Sequence, residues 1–387
     1  MALLALGRLG VGLLLGGALT AVLSSCAAPA AKRPGHASSA SAASSSASST
    51  APSSSSSAGA APATPTGGTS TSPAGGTGTG SPGTAGTGGV SGGTQSGFTD
   101  PAIQGPALKI PLAVIVDNSP AARPQAGLDQ AEVVWEVLAE GFITRFLALF
   151  THASATIGPV RSTRIYFDQL DHAYGLPLAH AGGSVDGLDW IGGYHLQNLD
   201  AIYGAGAYFY RSSSRKMPDN LYTSSAALER AAEDRGFKAP SPRLPEAGPL
   251  GPGAESTSSV TLSYYDDPQL YVYVVGWRWQ GDAWQRTVNG QDQIATDGRP
   301  VRAGTVLVLV VPTAPDPNDH GNPLTLYMLW SKGGSAWVLR SGMRTRGTWS
   351  MGADGLPIVR EHGAIVPAGS GPYWYELVPT SGDVSFN

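Results

Sequence analysis

Residues 27–97 consist almost entirely of alanine, serine, threonine, glycine and proline, and this composition decides where the chain can fold. Lys32 and Arg33 are the charged residues of this segment, and its apolar side chains follow neither a helical nor a strand period. Such a segment buries too little apolar surface to offset the entropy that is lost on ordering. We therefore expect a disordered tether, spanning on the order of 45 Å as a flexible coil, with the folded part of the chain after it.

Residues 1–26 have the pattern of an export signal. Arg8 is followed by an apolar run over residues 9–23, which is shorter than the about 20 apolar residues of a membrane span. The run ends in Leu-Ser-Ser-Cys at residues 23–26, an order that resembles the bacterial lipobox, where the cysteine receives a lipid and becomes the new N-terminus. Cys26 is the single cysteine of the chain, so an internal disulfide is excluded. We expect a lipoprotein signal peptide and a lipid on Cys26 that holds the protein at the extracytoplasmic face of the bacterial cell membrane; the alternative is an ordinary signal with an incidental cysteine.

Two domains are expected in the folded part, a first over residues 98–245 and a second over residues 256–387. Residues 239–254 are rich in proline and glycine, which is typical of an interdomain linker. The first domain mixes apolar strand runs with helical periods, whereas the second shows short β-prone segments separated by turn signals. These patterns predict an α+β fold: a mixed α/β N-terminal domain followed by a mostly β C-terminal domain that closes as a small barrel or sandwich. The net charge of −4 gives no basic excess that would indicate nucleic-acid binding.

A β-hairpin is expected in the first domain, from residues 131–139 and 142–151, with a glycine at the turn. Alternation along the second arm places Arg145 in an otherwise apolar row. A guanidinium in such a row requires a carboxylate or a ligand. Glu136 and Glu140 are the candidate partners on the hairpin.

Two predicted strands end in polar residues, which is a common way to build a site in α/β sheets. Residues 112–116 form an apolar run that leads into Asp117 and Asn118, and residues 176–180 form another that ends at His180. The glycine pair that follows His180 can make a backbone nest for an anion, although two glycines are a weak signal. A structural, fully hydrogen-bonded histidine is the alternative to a ligand or base at this position.

Two arginines stand at the start of a predicted helix over residues 163–174, with Ser162 as its N-cap. Arg161 and Arg164 would lie in the first turn, where the helix dipole disfavours cations. An anionic ligand bound there would explain them. The alternative is a set of structural salt bridges to Glu136, Glu140 or Asp168.

A polar basic loop over residues 211–220 could close over an anion held by these arginines. The predicted anion-binding residues are Arg123, Arg145, Arg161, Arg164 and Arg215, with Asp117, Asn118, Glu136, Glu140 and His180 as supporting polar groups. Asp186 and Asp189 lack the dense His/Asp/Glu spacing of a metal site, so neither a metal nor a cofactor is expected.

Several longer motifs carry a family resemblance that covers essentially everything after Phe98. They are Asp117-Asn118, Arg-Pro-Gln-Ala-Gly-Leu at 123–128, the segments 136–141 and 143–148, Ile-Gly-Pro-Val-Arg-Ser at 157–162, Ser-Ser-Arg-Lys-Met-Pro-Asp-Asn at 213–220, and Gly-Pro-Tyr-Trp-Tyr-Glu-Leu-Val-Pro at 371–379. The chain resembles the YerB family of bacterial lipoproteins, in two parts that match the N- and C-terminal domains of that family. The family is a domain of unknown function, so the resemblance implies an exported lipoprotein but no reaction.

Three functions are compatible with these observations. The first is an envelope protein that binds an anionic group of a wall polymer, or docks an envelope partner. The second is an enzyme of phosphoryl transfer or hydrolysis, with arginines on phosphate and Asp117 or His180 as base. The third is a structural or assembly protein whose charges are internal ion pairs. The sequence shows no Ser/His/Asp order, no cysteine nucleophile and no full phosphate loop, which favours binding.

Overall fold

A computed structural model describes residues 103, 105–265, 273–315, 325–327 and 333–387, with the backbone alone for residues 325–327. The expected signal peptide, Cys26 and the tether lie outside the described residues. Within the described ranges, no helix is long and apolar enough to cross a membrane.

Strands make up most of the described structure, accompanied by three α-helices. The helices are α1 (Ile165–Tyr174), α2 (Val185–Gly193) and α3 (Ser225–Asp234). The strands are β1 (Ala107–Asp117), β2 (Val133–Leu138), β3 (Thr144–His152), β4 (Leu178–His180), β5 (Asn198–Asp200), β6 (Tyr210–Arg211), β7 (Leu221–Tyr222), β8 (Ala254–Ser256), β9 (Ser259–Ser263), β10 (Val274–Trp279), β11 (Trp284–Val288), β12 (Gln291–Asp292), β13 (Arg302–Ala303), β14 (Thr305–Val311), β15 (Thr313–Pro315), β16 (Thr325–Tyr327), β17 (Gly334–Arg340), β18 (Met343–Met351), β19 (Pro357–Glu361), β20 (Ala364–Ile365), β21 (Tyr373–Pro379) and β22 (Asp383–Phe386). This content fits a largely β or α+β fold.

A twelve-stranded sheet, counted over the described residues, forms the centre of the molecule. Its order is β20-β19-β18-β17-β14-β21-β2-β3-β1-β4-β5, and β8 pairs with β18. β2 from the N-terminal half pairs in parallel with β21 from the C-terminal half, from Val133 opposite Tyr373 to Val137 opposite Leu377. The two sequence halves thus share one sheet. The predicted domain boundaries stay predictions about sequence segments.

The C-terminal half does not close into a barrel or sandwich of its own, contrary to the expectation from its strands. β14 and β17 to β21 extend the large sheet, while β9 to β13 and β22 form a separate six-stranded sheet. The second sheet packs on one face of the first, where the rings of Trp277 and Trp374 meet edge-on with centroids 5.1 Å apart. Alternation within a strand specifies a buried face but does not specify what covers it.

Helix α1 covers the opposite face of the large sheet. The Tyr174 ring lies edge-on to Trp135 with centroids 6.4 Å apart, and the Tyr166 hydroxyl donates to the Leu138 carbonyl at 3.0 Å. Because successive strand residues point to opposite faces, Trp135 faces the helix while its neighbour Glu136 faces the second sheet.

The predicted hairpin is confirmed. β2 and β3 pair antiparallel from Val133 opposite Leu149 to Leu138 opposite Thr144. Gly141 has a φ of 68° in the connecting turn, a conformation that glycine adopts without steric cost.

The predicted start of α1 is wrong. The helix begins at Ile165 with Arg164 as its N-cap residue, and Ser162 donates its hydroxyl to the Ala181 carbonyl at 2.9 Å instead of capping the helix. Arg161 therefore lies in the extended segment before the helix, and the argument from the helix dipole does not apply to it.

Candidate functional site

Arg161 lies where the parallel strands of the large sheet end. β1, β4 and β5 run parallel, and their carboxyl ends form one edge of the sheet, called here the carboxyl edge. Residues 160–163 lie between β1 and β4: the Arg161 N–H donates to the Ile115 carbonyl at 3.0 Å, and the Ala181 N–H donates to the Arg161 carbonyl at 3.0 Å. Arg161 is thereby fixed at the place where open α/β sheets bind their ligands.

Four polar residues meet at the carboxyl edge: Arg161, Asp117, Ser119 and Asp219, called here the Arg161 cluster. Arg161 Nε lies 3.2 Å from Asp117 Oδ2, and Asp117 Oδ1 accepts the Ser119 N–H at 3.2 Å. The Ser119 hydroxyl oxygen lies 3.2 Å from Asp117 Oδ2 and 3.2 Å from Asp219 Oδ1. Burial, together with the neighbouring Asp117 carboxylate, raises the pKa of Asp219 above its ordinary value. The cluster therefore brings two carboxyl groups and one guanidinium into contact.

The terminal nitrogens of Arg161 are available to a ligand. The side chain is 28% exposed, and its ion pair with Asp117 is made through Nε. No acceptor in the described part of the chain bonds to Nη1 or Nη2. Two parallel N–H donors in this fork match the two oxygens of a carboxylate or phosphate. An anion can thus bind without displacing an existing partner.

Arg145 and Arg164 share a single carboxylate, that of Glu140, and the three residues are called here the Glu140 triad. Arg145 Nη2 donates to Glu140 Oε1 at 2.8 Å, and Arg164 Nε donates to Glu140 Oε2 at 3.0 Å. Burial opposes ionisation, but the two guanidinium groups lower the pKa of Glu140 to about 2. These two arginines are internal ion-pair partners, as in the structural alternative of the sequence analysis. Asp168 forms an ion pair with neither Arg145 nor Arg164. Its carboxyl instead accepts the Thr163 hydroxyl.

Arg215 joins the loop that carries Asp219 to the loop after β1. It donates to the Ala121 carbonyl at 2.9 Å and to the Pro124 carbonyl at 2.7 Å. Arg123 bonds within the loop after β1, because it donates to the Asn118 carbonyl at 3.0 Å. The arginine of the basic loop thus contacts backbone carbonyls, and closure of this loop over an anion stays a prediction.

His180 is a hydrogen-bonded core residue. Its ring is fully buried, with Nδ1 2.9 Å from the Gly182 carbonyl and Nε2 2.8 Å from Asn198 Oδ1. Asp200 Oδ2 lies 3.8 Å from Nδ1. Both ring nitrogens face protein oxygens, so His180 shapes the ends of β4 and β5 and is not placed as a base toward the carboxyl edge.

Glu136 lies on the other face of the sheet from Arg145, so it does not support the predicted arginine cluster. Its side chain is completely buried and pairs with Arg286 of β11, while Arg286 Nε lies 3.8 Å from Glu376 Oε1 of β21. Glu136, Arg286 and Glu376 are called here the buried network. It joins three strands from both sequence halves.

Hydroxyl, indole and amide groups complete the buried network. Glu136 accepts the Thr144 hydroxyl at 2.7 Å, and Glu376 accepts the Trp277 indole N–H at 2.7 Å. Asn118 links the network to the carboxyl edge, because its amide donates to Thr144 Oγ1 at 2.6 Å. Burial and the charge of Glu136 raise the pKa of Glu376 well above the ordinary range.

Sequence reasoning missed Asp219, Arg286 and Glu376 as site or network residues. Glu376 carries a signal of the kind that revealed Arg145, a charge inside an otherwise apolar strand. Arg286 lies in a strand that was not predicted, and Asp219 was assigned only to a solvated basic loop. Among the described residues, no group of three or more His, Cys, Asp or Glu side chains is arranged to hold a metal ion.

A groove of about 220 Å³ lies away from the carboxyl edge, between residues 243–246 and the β19–β20 region. Two of its charged groups pair with each other, since Arg243 Nη1 is 3.6 Å from Asp354 Oδ2. Glu246 is a further charged residue of the lining, and most of the other lining residues are apolar.

Comparison with known families matches both halves of the chain. Residues 99–238 match the N-terminal domain of the family described as protein of unknown function (DUF3048), and residues 260–375 match its C-terminal domain. The chain belongs to this family. The DUF3048 resemblance inferred from the sequence is thus confirmed.

Relatives of this DUF3048 protein come from Bacillus subtilis. The "Putative lipoprotein YerB" of strain 168 is 29% identical over 276 residues, which covers 70% of this chain and 81% of that protein. The crystal structure of the YerB protein from the same organism superposes with a TM-score of 0.64 at 26% identity, covering 74% of this chain and 97% of that one. These comparisons establish the family and support the fold.

Proposed function

We propose that this DUF3048 protein is an exported lipoprotein that binds an anionic group of a cell-wall ligand at Arg161. The lipobox-like residues 23–26 and the name of the B. subtilis relative support lipid anchoring through Cys26 at the extracytoplasmic face of the membrane. The mixed strands and helices of the N-terminal half form the binding part, and the C-terminal strands support it through the shared sheet.

The observation that carries the proposal is the unused guanidinium fork of Arg161. Arg145 and Arg164 are neutralised by Glu140, and Arg215 is bound to carbonyl groups. Arg161 alone of the predicted arginines combines partial exposure, a fixed backbone at a strand end and terminal nitrogens without a partner in the described structure. The five-arginine site expected from the sequence is thereby reduced to one anion-binding arginine.

The enzyme alternative has no specific observation in its favour. His180 and Asp117 were its candidate bases, and both are buried and hydrogen-bonded to other protein groups. The structural alternative describes the Glu140 triad and the buried network well. It does not account for the exposed fork of Arg161.

Replacing Arg161 with alanine should abolish anion binding. In wild type, inorganic phosphate or acetate should raise the unfolding temperature, because the anion binds only the folded site. The Arg161→Ala variant should lose this shift, and it should also be less stable without anion, because the almost fully buried Asp117 carboxylate loses its ion-pair partner. Differential scanning fluorimetry across a titration of each anion measures both effects.

The matched control is Arg164→Ala, which removes the arginine three positions after Arg161; this arginine pairs with Glu140. It should lower the unfolding temperature without anion but keep the anion-induced shift. A shift that persists in Arg161→Ala, or that is missing from wild type, would overturn the proposed site.

Replacing Cys26 with alanine should release the protein from the membrane. The proposal places the lipid on this cysteine, and the chain has no second cysteine. Detergent partitioning and intact-mass measurement of protein from a bacterial host test the prediction. A Ser25→Ala variant should partition as wild type does, and wild type without added lipid mass would contradict lipid anchoring.

A further inference from the structure

The Ser119 hydroxyl joins two carboxyl groups but has one proton to donate. Its oxygen is 3.2 Å from Asp117 Oδ2 and 3.2 Å from Asp219 Oδ1. A serine hydroxyl donates a single hydrogen bond, so the contact to one carboxylate lacks a proton whenever both acids are ionised. The carboxyl pair therefore requires an additional proton or an additional cation.

The charges of the Arg161 cluster show the same imbalance. Asp117 is almost fully buried and holds the Nε side of Arg161, together with the backbone N–H groups of Asn118 and Ser119. Asp219 is partly exposed and shares that single guanidinium only indirectly. The cluster thus presents, side by side, an anion-accepting fork on Arg161 and an uncompensated carboxyl on Asp219.

We propose that the ligand is an α-amino-acid group, whose carboxylate binds the Arg161 fork and whose ammonium binds Asp219. This inference rests on the proposed function and specifies its ligand class. Asp117 Oδ2 lies 3.2 Å from Arg161 Nε and 3.2 Å from the Ser119 hydroxyl oxygen, which in turn lies 3.2 Å from Asp219 Oδ1, so the complementary charges of the ligand must also lie close together. An ammonium and a carboxylate on one carbon atom meet this requirement.

A simple anion would fill only half of the cluster. It would satisfy Arg161 but lie beside the Asp219 carboxyl, which repels it when ionised. An ammonium supplies the missing cation. It donates up to three hydrogen bonds, whereas the Ser119 hydroxyl donates only one. Burial and the nearby Asp117 raise the pKa of Asp219, and the positive charge of a bound ammonium lowers it again.

Isothermal titration with glycine, acetate and methylamine tests the ligand class on the folded protein. Glycine should bind wild type at least tenfold more tightly than acetate, and methylamine should bind weakest because it cannot use Arg161. Glycine binding should also release protons, which appears as a heat that depends on the ionisation enthalpy of the buffer. Acetate should release none.

The Asp219→Asn variant separates this inference from the proposed function. It should bind glycine no better than acetate and should still bind acetate, and an Asp282→Asn control at an exposed acid far along the chain should change neither affinity. Equal affinities for glycine and acetate in wild type would overturn the amino-acid assignment and leave anion binding intact. Absence of acetate and phosphate binding would instead overturn the proposed function itself.

Discussion

Arg286→Ala is expected to lower the free energy of unfolding by about 3–5 kcal/mol, because it leaves two carboxyl groups buried without their cation. Arg286 and both glutamates of the buried network are completely inaccessible to solvent. Burial by itself would lower the pKa of Arg286, but the Glu136 carboxylate raises it by more. The pKa therefore rises overall, and the guanidinium is charged at any working pH. Its removal strands Glu136 at the junction of β2, β11 and β21. Urea denaturation at neutral pH measures the loss.

Two further variants identify the cause of this loss. Arg278→Ala removes an arginine from the neighbouring strand β10 whose pair with Asp292 is about half exposed, and it should cost no more than about 1 kcal/mol. Adding Glu136→Gln to Arg286→Met should recover part of the stability, because the stranded charge is then gone. A double variant that is no more stable than Arg286→Met alone would show that the stranded charge is not the main cause of the loss.

Glu140→Gln is expected to destabilise the protein by about 3 kcal/mol at pH 7. The pKa of Glu140 falls from 4.5 to about 2 in the folded protein, and each pKa unit corresponds to about 1.4 kcal/mol. The variant leaves Arg145, which is almost fully buried, beside Arg164 with no carboxylate between them. Denaturant unfolding at a series of pH values measures the difference between variant and wild type.

The pH dependence follows from the direction of this shift. A carboxyl with a lowered folded pKa binds fewer protons in the folded state than in the unfolded state, so its stabilisation is present above pH 4.5 and is lost as the pH falls toward about 2. The difference between Glu140→Gln and wild type should therefore shrink across that interval. Glu255→Gln, at an exposed pair with Arg344, is the control and should show little effect at any pH. A difference that is constant with pH would contradict the ion-pair explanation.

Local elements followed closely from the sequence. The apolar run before Asp117 and the hairpin over β2 and β3 were predicted within a few residues of their observed bounds. Each depends on contacts between near neighbours or on a continuous apolar period.

The candidate site was predicted in part. The arginine-rich segment and the end of β1 do come together, and Arg161 and Asp117 are in contact. Which arginine stays available was not predictable, because Glu140 pairs with Arg145 five residues away and with Arg164 at a distance of 24 residues. Asp219 approaches Asp117 from a loop about 100 residues further along the chain. No local period encodes such a contact.

The sequence by itself determined the export signal pattern, the low-complexity tether, the family and the alternation that buries one side of each long strand. Only the tertiary structure decided what covers each buried side. Glu136 and Arg145 are equally unusual charges in the same hairpin. Glu136 nevertheless faces Arg286 of the second sheet, whereas Arg145 faces Glu140 at the carboxyl edge. The physical reason is that a strand specifies its two faces through local geometry, whereas the partner on each face is set by the packing of distant segments.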